Sequence, residues 1–321
     1  MQNKFKNKIL ITLGPSTLNA QFLRKAKMLK VDLLRLNMSH LSVIKLHKNI
    51  SFIKKYTNIP ICIDTEGAQI RTKTKKTKLI KKNSILKISD KDTLNLYPDD
   101  IHLKLKKNDI LDVGFKGLKI KVTLKKKNKL ICKVLSTGIL ENNKGVHIKN
   151  RKVKLNYLTK KDFLAIKIGK KLGIKNFALS FTNTPEDIKK FNKILNKENK
   201  FFKLETKLAI KNLDKIFKIA DKFIIDRGDL SKDIKLEQIP IFQRIILKKG
   251  KTKNKKIFVA TNFLESMIEN NYPTRAEIND IFNAFELGAS GIVLAAETAI
   301  GKYPTECIEL INKIFKQFKN Y

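Results

Sequence analysis

Charged and hydroxyl side chains follow short apolar segments of this sequence at several widely separated points. Lys203 and Glu205 close one such segment, Asp229 follows the next, and Thr261 follows the one after that. Two carboxylates can hold Mg²⁺ or Mn²⁺ through oxygen ligands, and a lysine beside them can neutralise a phosphoryl group in transfer. These residue types therefore favour phosphoryl transfer, which depends on positioning and charge stabilisation more than on covalent chemistry.

Each of these residues also has a plainer interpretation, as a solvated polar residue at a strand end. A lysine two positions before a glutamate carries little information in a chain with 69 lysines and arginines. The functional interpretation gains weight because many further candidates share this position after an apolar segment. They are Arg35, Asn37, Ser39 and His40 after the second segment, Asp64, Thr65 and Arg71 after the third, Arg227 and Gly228 beside Asp229, and Glu297 and Thr298 after the eighth.

The elements that would position these residues alternate along the chain. Apolar segments typical of strands are separated by amphipathic segments typical of helices. Thr184 before Pro185, and Thr274 three positions before Glu277, provide helix starts. Strand and helix repeated about eight times predict an α/β fold, a parallel (β/α)8 TIM barrel with its active site at the carboxyl ends of the strands. The predicted strands are Ile9–Leu13, Leu33–Leu36, Ile61–Asp64, Asn176–Ser180, Phe201–Leu204, Phe223–Asp226, Ile257–Thr261 and Gly291–Ala295.

One stretch interrupts this alternation. From Lys73 to Asn156 apolar residues tend to recur at every second position, as in Leu118–Leu124 and Leu130–Val134, which predicts β-hairpins. We therefore expect a small all-β barrel domain inserted after the third strand of the TIM barrel. The expected domains are residues 1–72 and 157–321 for the two parts of the TIM barrel and 73–156 for the insertion.

Composition limits the class of protein. The chain has 321 residues and a formal net charge of +40, with lysines spread along its whole length. Such a charge can indicate a nucleic-acid-binding protein, but no aromatic residues interleave the lysine runs at Lys73–Lys82 and Lys125–Lys129. Compositional drift therefore explains the charge better, although a basic field would still attract anionic substrates.

Several features bear on the cellular setting. No segment reaches the roughly 18 apolar residues of a membrane helix, and residues 1–6 are not followed by the apolar core of a signal peptide. Cys62, Cys132 and Cys307 are widely spaced and odd in number, which favours neither a disulfide framework nor a metal site. The sequence thus predicts a cytoplasmic protein without a membrane partner.

Several motifs follow one another in a recognisable order. They are Lys8–Ser16, Leu34–His40, Ile63–Thr65 with Ile70–Thr72, Asp226–Leu230, Ala260–Met267, Pro273–Glu277, and Glu297–Ala299 with Gly301–Pro304. In this order they resemble the pyruvate kinase family, and Thr261–Glu277 is the most specific stretch. The likeness covers nearly the whole chain and is weakest in the insertion, where Lys144–Val146 still resembles the family's lid segment.

The resemblance implies an enzyme of glycolysis that transfers the phosphoryl group of phosphoenolpyruvate to ADP, giving pyruvate and ATP. It implies Mg²⁺ or Mn²⁺ as cofactor, with K⁺ expected as well. It also implies that Lys203 stabilises the transition state and that the enolate is protonated near Thr261. The implied site comprises Lys203, Thr261 and Arg71 as catalytic residues, Arg35, Lys203, Gly228, Asp229 and Thr261 for phosphoenolpyruvate or pyruvate, Asn37, His40, Arg71 and Lys144 for the nucleotide, Glu205 and Asp229 for Mg²⁺, and Asn37, Ser39, Asp64 and Thr65 for K⁺.

The chain departs from the family pattern at several positions. A carboxylate at position 226, where the family has alanine, would repel an anionic substrate unless its side chain faces away. The loss of a serine hydroxyl before Glu297 affects enolate protonation, and the loss of a glutamate at position 69 leaves K⁺ dependence open. The departures are Asp226 for Ala, Ala295 and Ala296 for Ser-Gly, and Glu66, Ala68 and Gln69 for Lys, Pro and Glu.

These departures keep other hypotheses open. The first is a degraded, inactive pyruvate kinase homologue retained as a binding protein, which the presence of Lys203, Glu205 and Asp229 disfavours. A nucleic-acid-binding protein and another phosphoenolpyruvate barrel enzyme, such as an aldolase, are further alternatives, and the Thr261–Glu277 stretch disfavours the latter. The family's C-terminal regulatory domain has no counterpart in the sequence, so we expect no allosteric control. The oligomeric state is left open, with a homo-oligomer as one alternative.

Overall fold

A computed structural model describes residues 7–114, 117–127, 129–151 and 153–320. The expectation that concerns residues 1–6 lies outside these residues. The chain divides into two compact units. The first unit comprises the residues up to Gly67 and from Lys160 onward, and the second comprises Ala68–Thr159, which contains the predicted insertion 73–156 in full.

Seventeen strands are present among the described residues. Numbered in chain order, they are β1 (Lys8–Thr12), β2 (Leu33–Asn37), β3 (Ile61–Asp64), β4 (Ile70–Thr74), β5 (Lys78–Ile80), β6 (Ile85–Ile88), β7 (Leu94–Tyr97), β8 (Ile110–Val113), β9 (Leu118–Lys126), β10 (Lys129–Ser136), β11 (Gly138–Leu140), β12 (Gly145–Ile148), β13 (Asn176–Leu179), β14 (Asn199–Leu204), β15 (Lys222–Asp226), β16 (Lys256–Ala260) and β17 (Gly291–Leu294).

The first unit is a closed barrel of eight parallel strands in the order β1, β2, β3, β13, β14, β15, β16 and β17. The barrel closes where β17 pairs with β1, with Lys8 opposite Gly291. All eight predicted strands are present, and the prediction of a TIM barrel with an all-β insertion is confirmed.

The interior of this barrel is filled by side chains from all eight strands. The strands carry almost continuous apolar sequence because they are covered on both faces. The interior cluster consists of Leu10, Leu33, Cys62, Ala178, Phe201, Ile224, Phe258, Ala260 and Val293. Parallel pairing aligns the carboxyl ends of the strands, so that Asn37 lies opposite Asp64 and Asp226 lies opposite Ala260.

Helices connect the barrel strands and cover the barrel, except the short helix Ile101–Lys104, which belongs to the second unit. Thr184 and Thr274 each cap a helix, and each forms a capping box with the residue three positions later. The helices are α1 (Ala20–Met28), α2 (Val43–Tyr56), α3 (Ile101–Lys104), α4 (Lys160–Lys171), α5 (Pro185–Ile194), α6 (Lys207–Lys211), α7 (Leu213–Phe217), α8 (Arg227–Leu230), α9 (Ile239–Thr252), α10 (Arg275–Glu286), α11 (Ala296–Ala299) and α12 (Pro304–Asn320), with 3₁₀ helices at Leu236–Gln238 and Glu265–Ile268.

The second unit is all-β apart from α3. Seven strands form a closed barrel in the order β10, β6, β7, β4, β12, β8 and β9, and β11 pairs with β5. Alternate residues of β9, such as Leu118, Ile120 and Val122, are buried in the core of this unit, as period-two strands require. Arg151 anchors the unit's last segment, because its Nε and Nη2 donate to the two oxygens of the buried Asp109 at 2.6 and 2.7 Å.

Among the described residues, no helix combines the length and the apolar character that crossing a bilayer requires. Cys62, Cys132 and Cys307 are buried free thiols. Burial raises the pKa of Cys132 and of Cys307 to about 12, so both are protonated at neutral pH.

Candidate active site

Lys203 lies at the centre of a buried ionic cluster at the carboxyl end of the barrel. Its ammonium Nζ lies 2.6 Å from Glu205 Oε1, 3.1 Å from Asp226 Oδ2 and 3.3 Å from Asp64 Oδ2. It also donates to Ser180 Oγ at 3.3 Å. None of the four ionisable residues Lys203, Glu205, Asp226 and Asp64 is more than 4% exposed. Buried charges at this density require mutual pairing, so the cluster is a strongly coupled unit.

Arg35 contributes a second buried cation. Its Nε donates to Asp64 Oδ2 at 2.7 Å, its Nη2 lies 2.5 Å from the same oxygen, and its Nη1 donates to Thr12 Oγ1 at 2.9 Å. Ser180 Oγ donates to the other oxygen of Asp64 at 3.2 Å. The Asp64 carboxylate and the Thr12 hydroxyl therefore fix the direction of the Arg35 guanidinium. These two partners come from β3 and β1, the strands on either side of β2.

Thr12 and Ser180 were not among the predicted site residues. Thr12 is the last residue of β1, and Ser180 directly follows β13. Their position at strand ends, the same signal that identified the other candidates, could have found both of them.

The predicted K⁺ ligands lie on neighbouring strand ends. Asn37 ends β2 opposite Asp64, which ends β3. Asn37 Oδ1 accepts a hydrogen bond from the Ser39 N–H at 3.0 Å, and Thr65 Oγ1 accepts one from the Ser180 N–H at 3.0 Å. The four predicted K⁺ ligands thus lie at or just after the ends of two adjacent strands. Asp64 also forms ion pairs with Arg35 and Lys203.

Three carboxylates of the barrel converge beside Lys203. Glu205, Asp226 and Asp229 each offer an oxygen that lies within 4.8 Å of those of the other two. Glu205 Oε2 accepts a hydrogen bond from the Phe181 N–H at 2.5 Å, and Asp229 Oδ1 lies 2.6 Å from Lys232 Nζ. Carboxylate oxygens are preferred ligands of Mg²⁺ and Mn²⁺, so this donor set fits a divalent cation. The structure therefore brings the predicted ligands Glu205 and Asp229 together and adds Asp226 to them.

The charges in the cluster shift one another's pKa values. Burial raises the pKa of Glu205 to about 8; Lys203 opposes this rise, whereas Asp229 and Asp226 reinforce it. Burial acts to raise the pKa of Asp226 as well, but Lys203 and Arg35 outweigh it and hold that pKa below its ordinary value. Burial also acts against the charge on Lys203, yet its carboxylate neighbours raise its pKa above the ordinary value. Lys203 is therefore an ammonium ion at neutral pH.

Thr261 is held beside this cluster in an unusual backbone conformation. Its φ of 71° lies in the left-handed region, which a β-branched residue adopts only when its surroundings impose it. Arg227 supplies the constraint, since its Nε and Nη2 both donate to the Thr261 carbonyl at 3.0 and 2.5 Å. The Thr261 hydroxyl accepts from the Gly228 N–H at 2.8 Å and donates to Asp226 Oδ1 at 3.4 Å. Thr261 and Gly228, two predicted substrate-binding residues, are thus in direct contact.

The predicted nucleotide-binding residues are divided between the two units. His40 is exposed in the turn after β2, where its N–H donates to the Asn37 carbonyl at 3.1 Å. Arg71 and Lys144 belong to the second unit, where Arg71 pairs with Gly145, the residue after Lys144. The structure therefore places Arg71, in β4, close to Lys144, which directly precedes the adjacent strand β12.

Three of the departures noted in the sequence have clear structural consequences. The Asp226 side chain faces Lys203, so the alternative that it faces away from the cluster is wrong. Glu66 lies 2.9 Å from Lys161 Nζ and is buried, so that its charge is paired locally. Ala295, in turn, donates its N–H to Glu297 Oε2 at 2.7 Å, which fixes the chain after β17.

Comparison with known proteins gives a consistent result. The model of the family described as "Pyruvate kinase, barrel domain" matches residues 4–308. The chain is 35% identical to a pyruvate kinase of Thermotoga maritima, with 97% of this chain and 70% of the relative covered. It is 34% identical to a pyruvate kinase of Methanocaldococcus jannaschii, covering 97% and 69%, and 30% identical to one of Bacillus licheniformis, covering 96% and 56%. The chain thus spans little more than half the length of some of these relatives.

Proposed function

This chain belongs to the pyruvate kinase family, and on that premise we propose that it transfers the phosphoryl group of phosphoenolpyruvate to ADP, giving pyruvate and ATP. The observation that carries the proposal is the buried ammonium of Lys203, held at 2.6 Å from Glu205 beside the carboxylates Asp226 and Asp229. Phosphoryl transfer requires such fixed positive charge next to a cation site, because charge develops on the transferred group.

Members of this family need a divalent metal ion. Glu205 and Asp229 would hold it, and we propose Mg²⁺ or Mn²⁺ because the donor set consists of carboxylate oxygens. When bound, the ion would neutralise negative charge on substrate oxygens. We also propose K⁺ at Asn37, Ser39, Asp64 and Thr65, which lie on or directly after two adjacent strands.

The substrate-binding roles follow from the positions of the cations and of the Thr261 segment. Lys203 and Arg35 would bind the phosphoryl group, with Lys203 stabilising the transition state. Gly228, Asp229 and Thr261 would orient phosphoenolpyruvate, and the enolate would be protonated near the Thr261 hydroxyl. Asn37, His40, Arg71 and Lys144 would contact ADP. We place this reaction in the cytoplasm, where the family's glycolytic substrates are found.

The retained cluster favours an active enzyme over an inactive binding protein. Keeping one ammonium among three buried carboxylates has a high desolvation cost. Such an arrangement persists in a marginally stable protein chiefly where it serves a reaction. Ala295 and Ala296 remove a hydroxyl but leave Lys203, Arg35 and Thr261 in mutual proximity around Asp226 and Asp64.

The test is an assay of pyruvate formation from phosphoenolpyruvate and ADP with Mg²⁺, with and without K⁺. We expect turnover by the wild-type chain and its loss in Lys203→Met. Lys200→Met is the matched control, because Lys200 lies on the same strand but points its ammonium at the Leu195 carbonyl, 2.7 Å away. No turnover from folded wild-type protein at saturating substrates, in either salt, would contradict the proposal. Thermal unfolding of each variant verifies that it is folded.

A further inference from the structure

We propose that Asp226 is a third carboxylate ligand of the divalent cation, beside Glu205 and Asp229. The inference deepens the proposed function and rests on it for the identity of the site. The inference goes beyond that function because the family resemblance implies only Glu205 and Asp229 as protein ligands of the metal ion. Substrate oxygens would complete the coordination shell.

The first support is geometric. Asp226 ends β15 and Asp229 lies one turn later in α8, so both carboxylates are set by the same strand–helix junction. Glu205 directly follows the neighbouring strand β14, and all three residues offer oxygens within 4.8 Å of one another. Three such oxygens from one rigid rim are enough to begin a hexacoordinate shell.

The second support is the balance of buried charge. Arg35 and Lys203 are the cations of the cluster, and Asp64, Glu205 and Asp226 are its carboxylates, each 5% exposed or less. Asp229 has its own partner in Lys232 at 2.6 Å. The cluster thus holds three buried carboxyl groups and only two buried cations, so one carboxyl group has no cation of its own. A divalent cation at the three converging oxygens would supply the missing positive charge and allow all of them to be ionised.

The ion pair with Lys203 does not account for all the acceptor sites of the Asp226 carboxylate. The ammonium already has Glu205 at 2.6 Å and Asp64 at 3.3 Å, so its charge does not require a third carboxylate. Asp226 accepts from Lys203 and from the Thr261 hydroxyl. An ionised carboxylate has about four lone-pair sites, so these contacts leave capacity for a metal ion.

The experiment is a titration of the substrate-free full chain with Mn²⁺, in which electron paramagnetic resonance measures the free ion. We expect the wild-type chain to bind one Mn²⁺ per molecule without phosphoenolpyruvate. Asp226→Asn, which keeps the size of the side chain but removes its charge and one acceptor oxygen, should weaken that binding by about tenfold or more, the order expected for loss of a carboxylate ligand. Glu205→Gln should weaken it at least as much. Asp226→Ala provides a second variant if the asparagine variant does not fold.

The matched control separates ligation from a general charge effect. Asp64→Asn removes the same charge from the same ammonium, but Asp64 is not among the three converging carboxylates. We expect it to weaken Mn²⁺ binding less than Asp226→Asn does. Water-proton relaxation should also show an additional water on the bound Mn²⁺ in Asp226→Ala, where a protein ligand has been lost.

The outcomes are distinguishable from those of the activity assay. If Asp226→Asn binds Mn²⁺ as tightly as the wild-type chain, or if the wild-type chain binds none without phosphoenolpyruvate, the inference is overturned, and wild-type turnover would leave the proposed function standing. If Asp226→Asn loses Mn²⁺ affinity but the wild-type chain makes no pyruvate, the third ligand is supported and the proposed function is overturned.

Discussion

At the residue scale, the cluster around Lys203 depends on each of its members. Breaking a buried ion pair by removing one partner typically costs about 3–5 kcal/mol, because the remaining charge stays buried without compensation. Arg35 and Lys203 share Asp64, so that a change in either cation alters the field at the other. Substitutions that keep the charge but change its geometry are therefore the most informative ones.

Arg35→Lys is such a substitution. A lysine keeps the positive charge but cannot contact Asp64 through two nitrogens and Thr12 through a third, as the guanidinium does. We expect KM for phosphoenolpyruvate to rise by roughly tenfold or more, with a smaller change in kcat, since a directed contact to the substrate is lost. Steady-state kinetics measure both constants.

Arg24→Lys is the control for this prediction, because Arg24 lies over the Tyr56 ring, 5.2 Å from its centroid, on the outside of the barrel. An unchanged KM in Arg35→Lys would show that Arg35 supports Asp64 without contacting the substrate.

The sequence predicted most of the cluster but not all of it. Lys203, Glu205 and Asp64 were identified because polar residues at the ends of apolar segments collect on one rim of a parallel barrel. The direction of the Asp226 side chain could not be predicted, since Phe223–Asp226 is buried throughout and shows no alternation that would assign one face to the interior. Side-chain direction there depends on the pairing with β14 and β16, which is tertiary information.

At the scale of elements, strand limits and helix starts were predictable to different degrees. The capping residues Thr184 and Thr274 were identified correctly, because a cap is a local hydrogen-bonding signal. Predicted strands ran one residue too far at Leu13, Ser180, Thr261 and Ala295. At Thr261 the reason is its φ of 71°, and at Ala295 it is a ψ of −93°, since neither angle belongs to a strand. These turns contain residues of the candidate site. The local sequence pattern therefore mispredicts the strand ends at the positions where the chain turns to form the site.

Glu277 joins two elements after β16. Its carboxylate accepts from the Thr274 N–H at 2.7 Å at the start of α10 and from the Ser266 N–H at 2.8 Å in the 3₁₀ helix. Burial acts to raise the pKa of Glu277, but its hydrogen bonds to Ser266 and Thr274 outweigh this and lower it. Glutamine offers one acceptor oxygen in place of two, so Glu277→Gln should lower the free energy of unfolding by roughly 1–3 kcal/mol at pH 7.

The pH dependence of this effect has a definite sign. Because the pKa of Glu277 is lower in the folded chain, its contribution is fully present above the ordinary glutamate pKa of about 4.3 and is lost as pH falls through the folded value. The difference between wild type and Glu277→Gln should therefore shrink below about pH 4. Urea unfolding at several pH values measures it, with Glu265→Gln in the same turn as control, since Glu265 is exposed and accepts only from Asn262 among the hydrogen bonds described. A difference that stays constant with pH would contradict the assignment.

At the scale of the whole molecule, the net charge of +40 acts against stability through repulsion between like charges. With 69 basic and 29 acidic residues, carboxylates are scarce and are shared among lysines. Asp214, for example, lies 2.7 Å from Lys249 and 2.8 Å from Lys253. Most remaining lysines repel one another across the surface, and such repulsion favours the unfolded chain.

Salt should therefore stabilise this protein. The screening length falls from about 30 Å at 0.01 M to about 10 Å at 0.1 M ionic strength, which removes most repulsion between exposed lysines while the buried Lys203 cluster is screened much less. We expect the thermal unfolding midpoint to rise steeply with NaCl up to about 0.1 M and to level off beyond it. Differential scanning fluorimetry across this range measures the midpoint. NaCl is used because added K⁺ would also act at the proposed cation site.

A charge-reduced variant tests whether repulsion is the cause. Lys75, Lys76 and Lys78 are exposed in one of the lysine runs, and replacing all three with glutamate lowers the net charge by six without removing a buried contact. The variant should unfold at a higher temperature than wild type at low salt and should show a smaller increase with NaCl, because fewer like charges remain to be screened. If wild type and variant respond equally to salt, ion binding at specific sites explains the stabilisation better than screening does. Retention of the wild-type chain on DNA above 0.15 M NaCl would instead revive the nucleic-acid hypothesis, since purely nonspecific contacts to phosphates weaken steeply with salt.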